Sequence, residues 1–450
     1  MISREEIANK SDELGVHTSH VQRDYIFGWI LSTIYTRSEL SQSLILKGGN
    51  CFRKAYFRKA RYSPDLDFAA TTHLPDDLIR EKINCVCDSV ANNTGVVFDT
   101  TRTRVEAARP ADRDSDRVIQ KARVYFRDFF GEESQLVLAV RLDMSNYERV
   151  FLPVQARDLV HDYSDAASAA AQIRCLKLEE LLASKLKCLL QRRHSADLYD
   201  FVNATLIRPI VDIDRAEMVR TFLRMTVFGS GPRIVQELLL NLPFQIIKGL
   251  WHEYLVYPND SSIDFDEAVT GFTGIVTELF GQLPLGNAEH AFFPSQFRNP
   301  IMQAGHDLTL LRIRYDGLDR MAEPYSLKYK MRQDGVGREY LYVYDRTGGH
   351  TSRPGLKSLV VDGVDSIDNT DTRFEPRCEV ELSKAGQVFG ETHFKGGTGP
   401  RIRVIGSSSL HVVQCPRCGK RFHRKHYSTK LNPHKDQYGN PCYAVIGIMI

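Results

Sequence analysis

Between Arg23 and Tyr35 the apolar residues Tyr25, Ile26, Trp29, Ile30, Ile34 and Tyr35 recur at three- and four-residue spacing, which predicts a helix with a buried face. Leu44-Ile-Leu46 is too short for that rhythm and stops at Gly48-Gly49, as a buried strand entering a turn does. Asn50 is placed to cap a following helix whose Phe52, Ala55 and Tyr56 share a face, and Asp65 to Ala69 reads as a second strand. Further strands are predicted near residues 96–99, 118–126 and 136–144. Residues 176–193 give the clearest helix, with Leu181, Leu182, Leu186, Leu189 and Leu190 in one stripe, and helical patterning continues to about Gly281. Residues 282–300, proline-bearing and aperiodic, predict a linker. Beyond it the pattern changes to short alternating runs at 310–315, 340–344 and 359–361, between turns rich in Gly and Asp, which predicts a small β-rich domain. The expected organisation is an α/β (α+β) domain with a helical C-terminal part over 1–281, a linker over 282–300, a β-rich domain over 301–385 and a distinct C-terminal segment over 386–450.

Composition narrows the class. In 450 residues, 42% hydrophobic with 10% aromatic side chains suits packed cores and excludes a disordered chain. No stretch approaches the ~20 apolar residues of a membrane helix. The first residues carry Glu5, Glu6, Asp12 and Glu13 and do not read as a signal peptide, so a cytoplasmic location is expected. A net charge of +3 names no partner, because nucleic acids are bound by local clusters of positive charge. Nine scattered cysteines argue against a disulfide framework, and only Cys415, Cys418 and Cys442 are spaced for a purpose.

The chemistry concentrates after the first predicted strand. Asp65 and Asp67, two apart on a strand, project to one face and can share a metal ion with hard-oxygen preference. Asp143, on a later strand, is placed to complete the site. Gly48-Gly49 lets backbone N–H groups approach a phosphate. Each feature alone is common: an isolated D-x-D pair is usually a solvated surface and a Gly-Gly is usually a turn. In this order they form the pattern of the polymerase β nucleotidyltransferase superfamily.

Within that superfamily Leu46-Lys-Gly-Gly-Asn-Cys-Phe-Arg-Lys-Ala-Tyr56 and Arg61-Tyr-Ser-Pro-Asp-Leu-Asp-Phe68 closely resemble the AbiEii/AbiGii toxin nucleotidyltransferases. Glu179-Glu180 through Lys185, Arg192-Arg193 and Asp197 through Asp200 extend the resemblance, which covers roughly residues 1–280. It departs at Asn50-Cys51, where small residues are common, and at Ser195-Ala196, where a basic residue is usual; neither removes a candidate metal ligand. The resemblance implies transfer of a nucleotide from a nucleoside triphosphate, with magnesium or manganese at Asp65, Asp67 and Asp143. The acceptor implied is RNA, tRNA for some relatives, so that translation stops in a toxin–antitoxin or phage-defence system with a cognate antitoxin. It makes Lys185, four residues from both Leu181 and Leu189 and so emerging from the inward face, a triphosphate ligand rather than a snorkelling core-edge lysine. It also makes Asp197 a member of the active site. Arg53, Arg61 and Ser63 join Gly48 and Gly49 as candidate nucleotide contacts.

Ile313-Arg-Tyr315, Glu323-Pro324, Glu339-Tyr-Leu-Tyr-Val-Tyr-Asp345, residues 357–361 and Phe374-Glu-Pro-Arg377 look like a WYL domain, with Glu339 where the name-giving Trp stands. Such modules bind nucleic acid or another ligand and control an attached domain; the plain alternative is a structural barrel with a solvated cationic face. Cys415-Pro-Arg-Cys418 offers half of a tetrahedral zinc site, and with His434 and Cys442 resembles a zinc ribbon, His423 and His426 being competing histidines. Around it Arg417, Lys420, Arg421, Arg424, Lys425, Lys430 and Lys435, interleaved with Phe422 and Tyr427, suit a nucleic-acid or a protein partner. The reading from another class is a nucleic-acid-responsive regulator whose nucleotidyltransferase fold only binds nucleotide. A third is a transferase acting on a small molecule.

Overall fold

In the computed structural model the long buried helix forms as the apolar pattern requires. The structure describes residues 2–108, 119–130, 137–146, 148–192, 194–207, 212–251, 255–286, 292–331, 336–348, 353–382, 411–418, 420–424, 429–435 and 441–449. Helix α1 (Arg4–Leu14) leads to α2 (Thr18–Arg37), in which every residue from Val21 to Ile34 is buried, so it is a core helix and not an amphipathic surface one. Strand β1 (Leu44–Lys47) runs into α3 (Gly48–Cys51), whose chain continues through one wider π turn, Phe52–Tyr56. Strand β2 (Asp65–Ala70) returns antiparallel to β1. Helix α4 (Asp76–Thr94) has Asp76 and Asp77 in its first turn, where carboxylates suit the positive end of the helix. It stops at Gly95 with φ 74°, a left-handed cap that suits glycine.

Strands β3 (Arg104–Ala108), β4 (Ile119–Arg127), β5 (Val137–Asn146), β6 (Gln155–Asp158) and β7 (Gln172–Cys175) complete a seven-stranded mixed sheet in the order β3-β4-β5-β2-β1-β7-β6. Ala122, Val124, Phe126, Val140, Leu142 and Met144 face the core, where α2 and α4 pack, while the alternate residues of β4 and β5 are more accessible. Helices α5 (Leu178–Gln191) and α6 (Ser195–Val202) open a helical extension that ends with the helix Phe265–Gly281.

The second unit is a five-stranded antiparallel sheet of β8 (Thr309–Tyr315), β9 (Leu318–Met331), β10 (Gly337–Asp345), β11 (Gly355–Leu359) and β12 (Val364–Arg373), in the order β11-β10-β9-β8-β12. The C-terminal segment holds a three-stranded sheet of β13 (His411–Gln414), β14 (Arg421–Arg424) and β17 (Ile448–Met449), and the pair β15 (His434–Lys435) and β16 (Pro441–Cys442).

Three expectations change. The strand near residues 96–99 reduces to one bridge, Phe98 to Phe126. The run at 359–361 straddles the end of β11 and a 3-10 turn, Val361–Gly363. The expected linker 282–300 ends in a helix, Ser295–Asp307, with Pro300 inside it. This helix packs on β8, β9 and β12 and buries Ile301 and Ala304 in the second core, with Phe293 just ahead of it, so burial outweighs the missing N–H of the proline.

Arg298 of that helix accounts for the glutamate at position 339. Its guanidinium donates to Glu339 Oε2 at 2.7 Å and to the carbonyl of Leu190 at 2.6 Å, and Phe293 N–H donates to the same Glu339 oxygen at 2.8 Å. The pair is buried, 2% and 0% exposed, and it ties the β-rich unit to α5. Glu339→Ala leaves a buried unpaired guanidinium, for which a destabilisation of about 3–5 kcal/mol is expected. Chemical denaturation of the two proteins measures it; a loss below about 1 kcal/mol would contradict the desolvated pairing.

Candidate functional site

The site begins with a backbone constraint. Gly48 has φ +70°, and a Cβ there would lie 2.1 Å from Asp67 Oδ2; a Cβ on Gly49 would lie 2.7 Å from Ser63 Oγ and 2.8 Å from Arg61 Nη2. The glycine pair therefore lets the turn after β1 pass directly against the acidic strand. Asn50 does not cap a helix as expected, because the helix already starts at Gly48. Its buried amide instead donates to the carbonyls of Ser63 at 3.2 Å and Asp65 at 2.6 Å, pinning the start of β2 to the turn. Gly48→Ala is expected to lower transfer about a hundredfold, the scale of a 1 Å misplacement at a reacting centre, with the fold retained. Activity within about threefold of wild type would refute the close approach.

The register then brings the carboxylates together. Lys47 pairs with Asp67, Asp67 with Asp143 and Asp143 with Lys121, so one row across β1, β2, β5 and β4 reads Lys-Asp-Asp-Lys. Carboxylate oxygens of Asp65, Asp67 and Asp143 lie within 4.8 Å of one another. Ser63 Oγ donates to Asp65 Oδ1 at 3.1 Å. Burial, then the neighbouring Asp65 and Asp143 charges, push the Asp67 carboxyl up to about 7 against the opposing pull of Lys47 and Lys185. Three convergent hard oxygens whose mutual repulsion a cation would relieve fit a divalent metal.

Asp67, Asp143, Gly48 and Lys185 line a cavity of about 590 Å³, whose far wall is Leu327 to Lys330 of β9 with Glu381. The β-rich unit thus closes one side of it, and Gln191 Nε2 donates to the Leu327 carbonyl at 2.8 Å across the junction.

Behind the cavity is a buried ion network. Lys185 Nζ is 2.9 Å from Asp197 and 2.8 Å from Asp200. Arg192 Nε donates to Asp197 at 2.8 Å, and Arg61 donates to both oxygens of Asp200 at 2.8 Å. Burial alone would push the Asp197 carboxyl up, but the Arg192 and Lys185 charges outweigh it and hold the group far below the usual carboxylate range. Burial lowers His194 to about 3, and the neutral ring accepts from Ala196 N–H at 3.1 Å to cap α6.

These contacts revise several expectations. Lys185 does emerge inward, but two carboxylates already hold it. Asp197 is 1% exposed and engages Lys185 and Arg192. Arg61 is taken up by Asp200. Arg53 is not a cavity residue: it pairs with Asp24 at 2.7 Å, donates to the carbonyls of Arg58 and Ala60, and lies over the Tyr62 ring. Lys47 and Arg192 also line the cavity, and Lys121 stands opposite Asp143; adjacency to Gly48 marks Lys47 in the sequence and the resemblance marks Arg192, whereas nothing local marks Lys121.

Far along the chain, Cys415, Cys418, His434 and Cys442 bring ligand atoms within 4.8 Å of one another. The Cys415 and Cys442 sulfurs are 3.6 Å apart, and Cys418 Sγ is 3.5 Å from His434 Nε2. Tetrahedral zinc with ordinary bond lengths separates two sulfurs by about 3.8 Å and sulfur from imidazole nitrogen by about 3.5 Å, so the set fits zinc. His434 Nδ1 is 2.9 Å from the Asn432 carbonyl, the contact that fixes the tautomer and leaves Nε2 for a metal. His426, Lys425 and Tyr427 lie outside the described residues, as does the side chain of His423.

Compared with known proteins, residues 29–269 match the model of the family described as nucleotidyl transferase AbiEii toxin of a type IV toxin–antitoxin system. Among solved structures, MenT4, a nucleotidyltransferase toxin from Mycobacterium tuberculosis H37Rv, is similar with 18% identity and a TM-score of 0.41, over 63% of this chain and 91% of that one. No curated protein sequence matches. No described helix is long and apolar enough to cross a membrane.

Proposed function

The chain belongs to the AbiEii family of nucleotidyltransferase toxins, and from that premise we propose that it transfers a nucleotide from a nucleoside triphosphate to RNA, tRNA above all, and so stops translation. It is a nucleotidyltransferase of a type IV toxin–antitoxin family, which implies a cognate antitoxin as partner. The observation that carries the reading is the convergence of Asp65, Asp67 and Asp143 within 4.8 Å against a turn that only glycine can make.

In this reading Asp65, Asp67 and Asp143 hold magnesium or manganese, which when bound supplies Lewis-acid polarisation of the phosphate and a more acidic attacking hydroxyl. The Gly48 turn brings backbone to the triphosphate. Lys185, clamped by Asp197 and Asp200, and Arg192, clamped by Asp197, give the cavity wall positive charges fixed in place before substrate arrives. The acceptor hydroxyl forms its bond to the α-phosphorus as the bond to pyrophosphate breaks. The β-rich unit, assigned as WYL-like, and the Cys/His cluster, assigned as a zinc ribbon, recognise the acceptor or sense a trigger.

The test is incubation with each labelled nucleoside triphosphate, magnesium and total tRNA, with Asp67→Ala alongside. Label on RNA from the wild type alone supports the reading and names the nucleotide. Nucleotide binding without label on any acceptor would replace it with a nucleotide-binding regulator.

A further inference from the structure

The face of the large sheet that carries the acids continues onto the β3–β4–β5 flank, and a second row of register partners crosses it. Arg104 pairs with Arg123, Arg123 with Arg141 and Arg141 with Asp65. The alternate residues Ala122, Val124, Val140 and Leu142 are buried, so the arginines stand on the opposite, accessible face, with Arg104 exposed and Arg123 and Arg141 half-buried. Adjacent strands lie about 4.8 Å apart, so three arginines leave the same face from one row of register partners that ends at a catalytic candidate. A ligand that brings several negative charges in a row matches this row of positive charge.

The row beside it differs, because its cation already meets carboxylates. In the neighbouring row Glu106 stands opposite Lys121, and Lys121 is also 3.2 Å from Glu379. Tyr125, on the same face as Arg123, has the Arg102 guanidinium 4.4 Å above its ring. Strand order separates two substrates: the glycine turn follows β1 on one side of the acids, and the arginine row lies on the other, across β5, β4 and β3.

We propose that Arg104, Arg123 and Arg141 form a track for the phosphate backbone of a polynucleotide, delivering its end to Asp65, Asp67 and Asp143. The proposal rests on the RNA-transfer reading above and adds where the acceptor lies. An extended polyanion with its terminus in the site fits a row that ends at the carboxylates; a nucleoside triphosphate, seated by Gly48, does not reach along it.

The test measures binding of fluorescent tRNA and of a single-stranded oligoribonucleotide across a salt series, using wild type, the three single Arg→Ala variants, the triple Ala variant and the triple Arg→Lys variant. Each Ala change is expected to lower the slope of log affinity against log salt by about one. The triple Ala variant should bind RNA at least tenfold more weakly, bind nucleoside triphosphate as wild type does and keep a cooperative thermal unfolding transition. The Lys triple should keep most RNA binding. RNA binding unchanged in the triple Ala variant, while wild-type label transfer persists, would overturn the track and leave the transfer reading standing. No RNA binding and no transfer by the wild type would overturn both.

Discussion

Asp67→Asn is expected to lower nucleotide transfer by roughly a thousandfold, the equivalent of about 4 kcal/mol of lost transition-state stabilisation from one displaced metal ligand. The change keeps the side-chain volume and the contact with the Gly48 turn, so the protein should remain folded. It removes a carboxylate from a cluster in which Asp65 and Asp143 already repel it, and the metal-free protein should therefore melt no lower than wild type. Two measurements decide the matter together: single-turnover transfer with excess enzyme, and magnesium-dependent protection against thermal unfolding. Loss of both locates Asp67 in the metal site. Transfer retained within tenfold would move the chemistry away from this row.

The second large effect concerns the C-terminal segment. Among the described residues its core cluster is Val413, Cys415, Leu431 and Cys442, a small apolar burial that leaves much of the ordering to the Cys/His cluster. A structural zinc contributes on the order of 10 kcal/mol to such a segment. Cys415→Ser should lose the bound zinc, seen as one equivalent fewer per chain by elemental analysis. Protease cleavage should then appear within residues 411–449 while the seven-stranded sheet stays intact. Tyr443 Oη donates to Asp128 at 3.0 Å, so ordering of the segment also bears on the turn that follows β4. Full zinc content and protease resistance in Cys415→Ser would argue that the four side chains only pack together.

Local pattern was sufficient for much of this molecule. The helix around Trp29, the short strand before Gly48, the D-x-D strand, the leucine stripe of α5 and the β-rich second unit were all legible, because their burial follows a period of 3.6 or 2 that residues a few places apart define. The two candidate clusters were legible for the same reason: Asp65 and Asp67 share a face by alternation, and Cys415 and Cys418 are brought close by their spacing.

Tertiary structure decided what each charged group faces. Sequence marks Arg53 and Arg61 only as cations after a glycine turn and Lys185 as a cation on an inward helix face; the fold supplies Asp24 to the first, Asp200 to the second, and Asp197 with Asp200 to the third. The linker was misread past Ser295 because Pro300 and weak periodicity are local signals, whereas the helix is held by a β-sheet that forms from later residues. The rows Lys47-Asp67-Asp143-Lys121 and Arg104-Arg123-Arg141-Asp65 exist only once strands from four parts of the chain align. Strand alternation fixes which face a residue occupies, but register and strand order depend on long-range pairing, so the sequence by itself determined the reactive groups and the fold determined their neighbours.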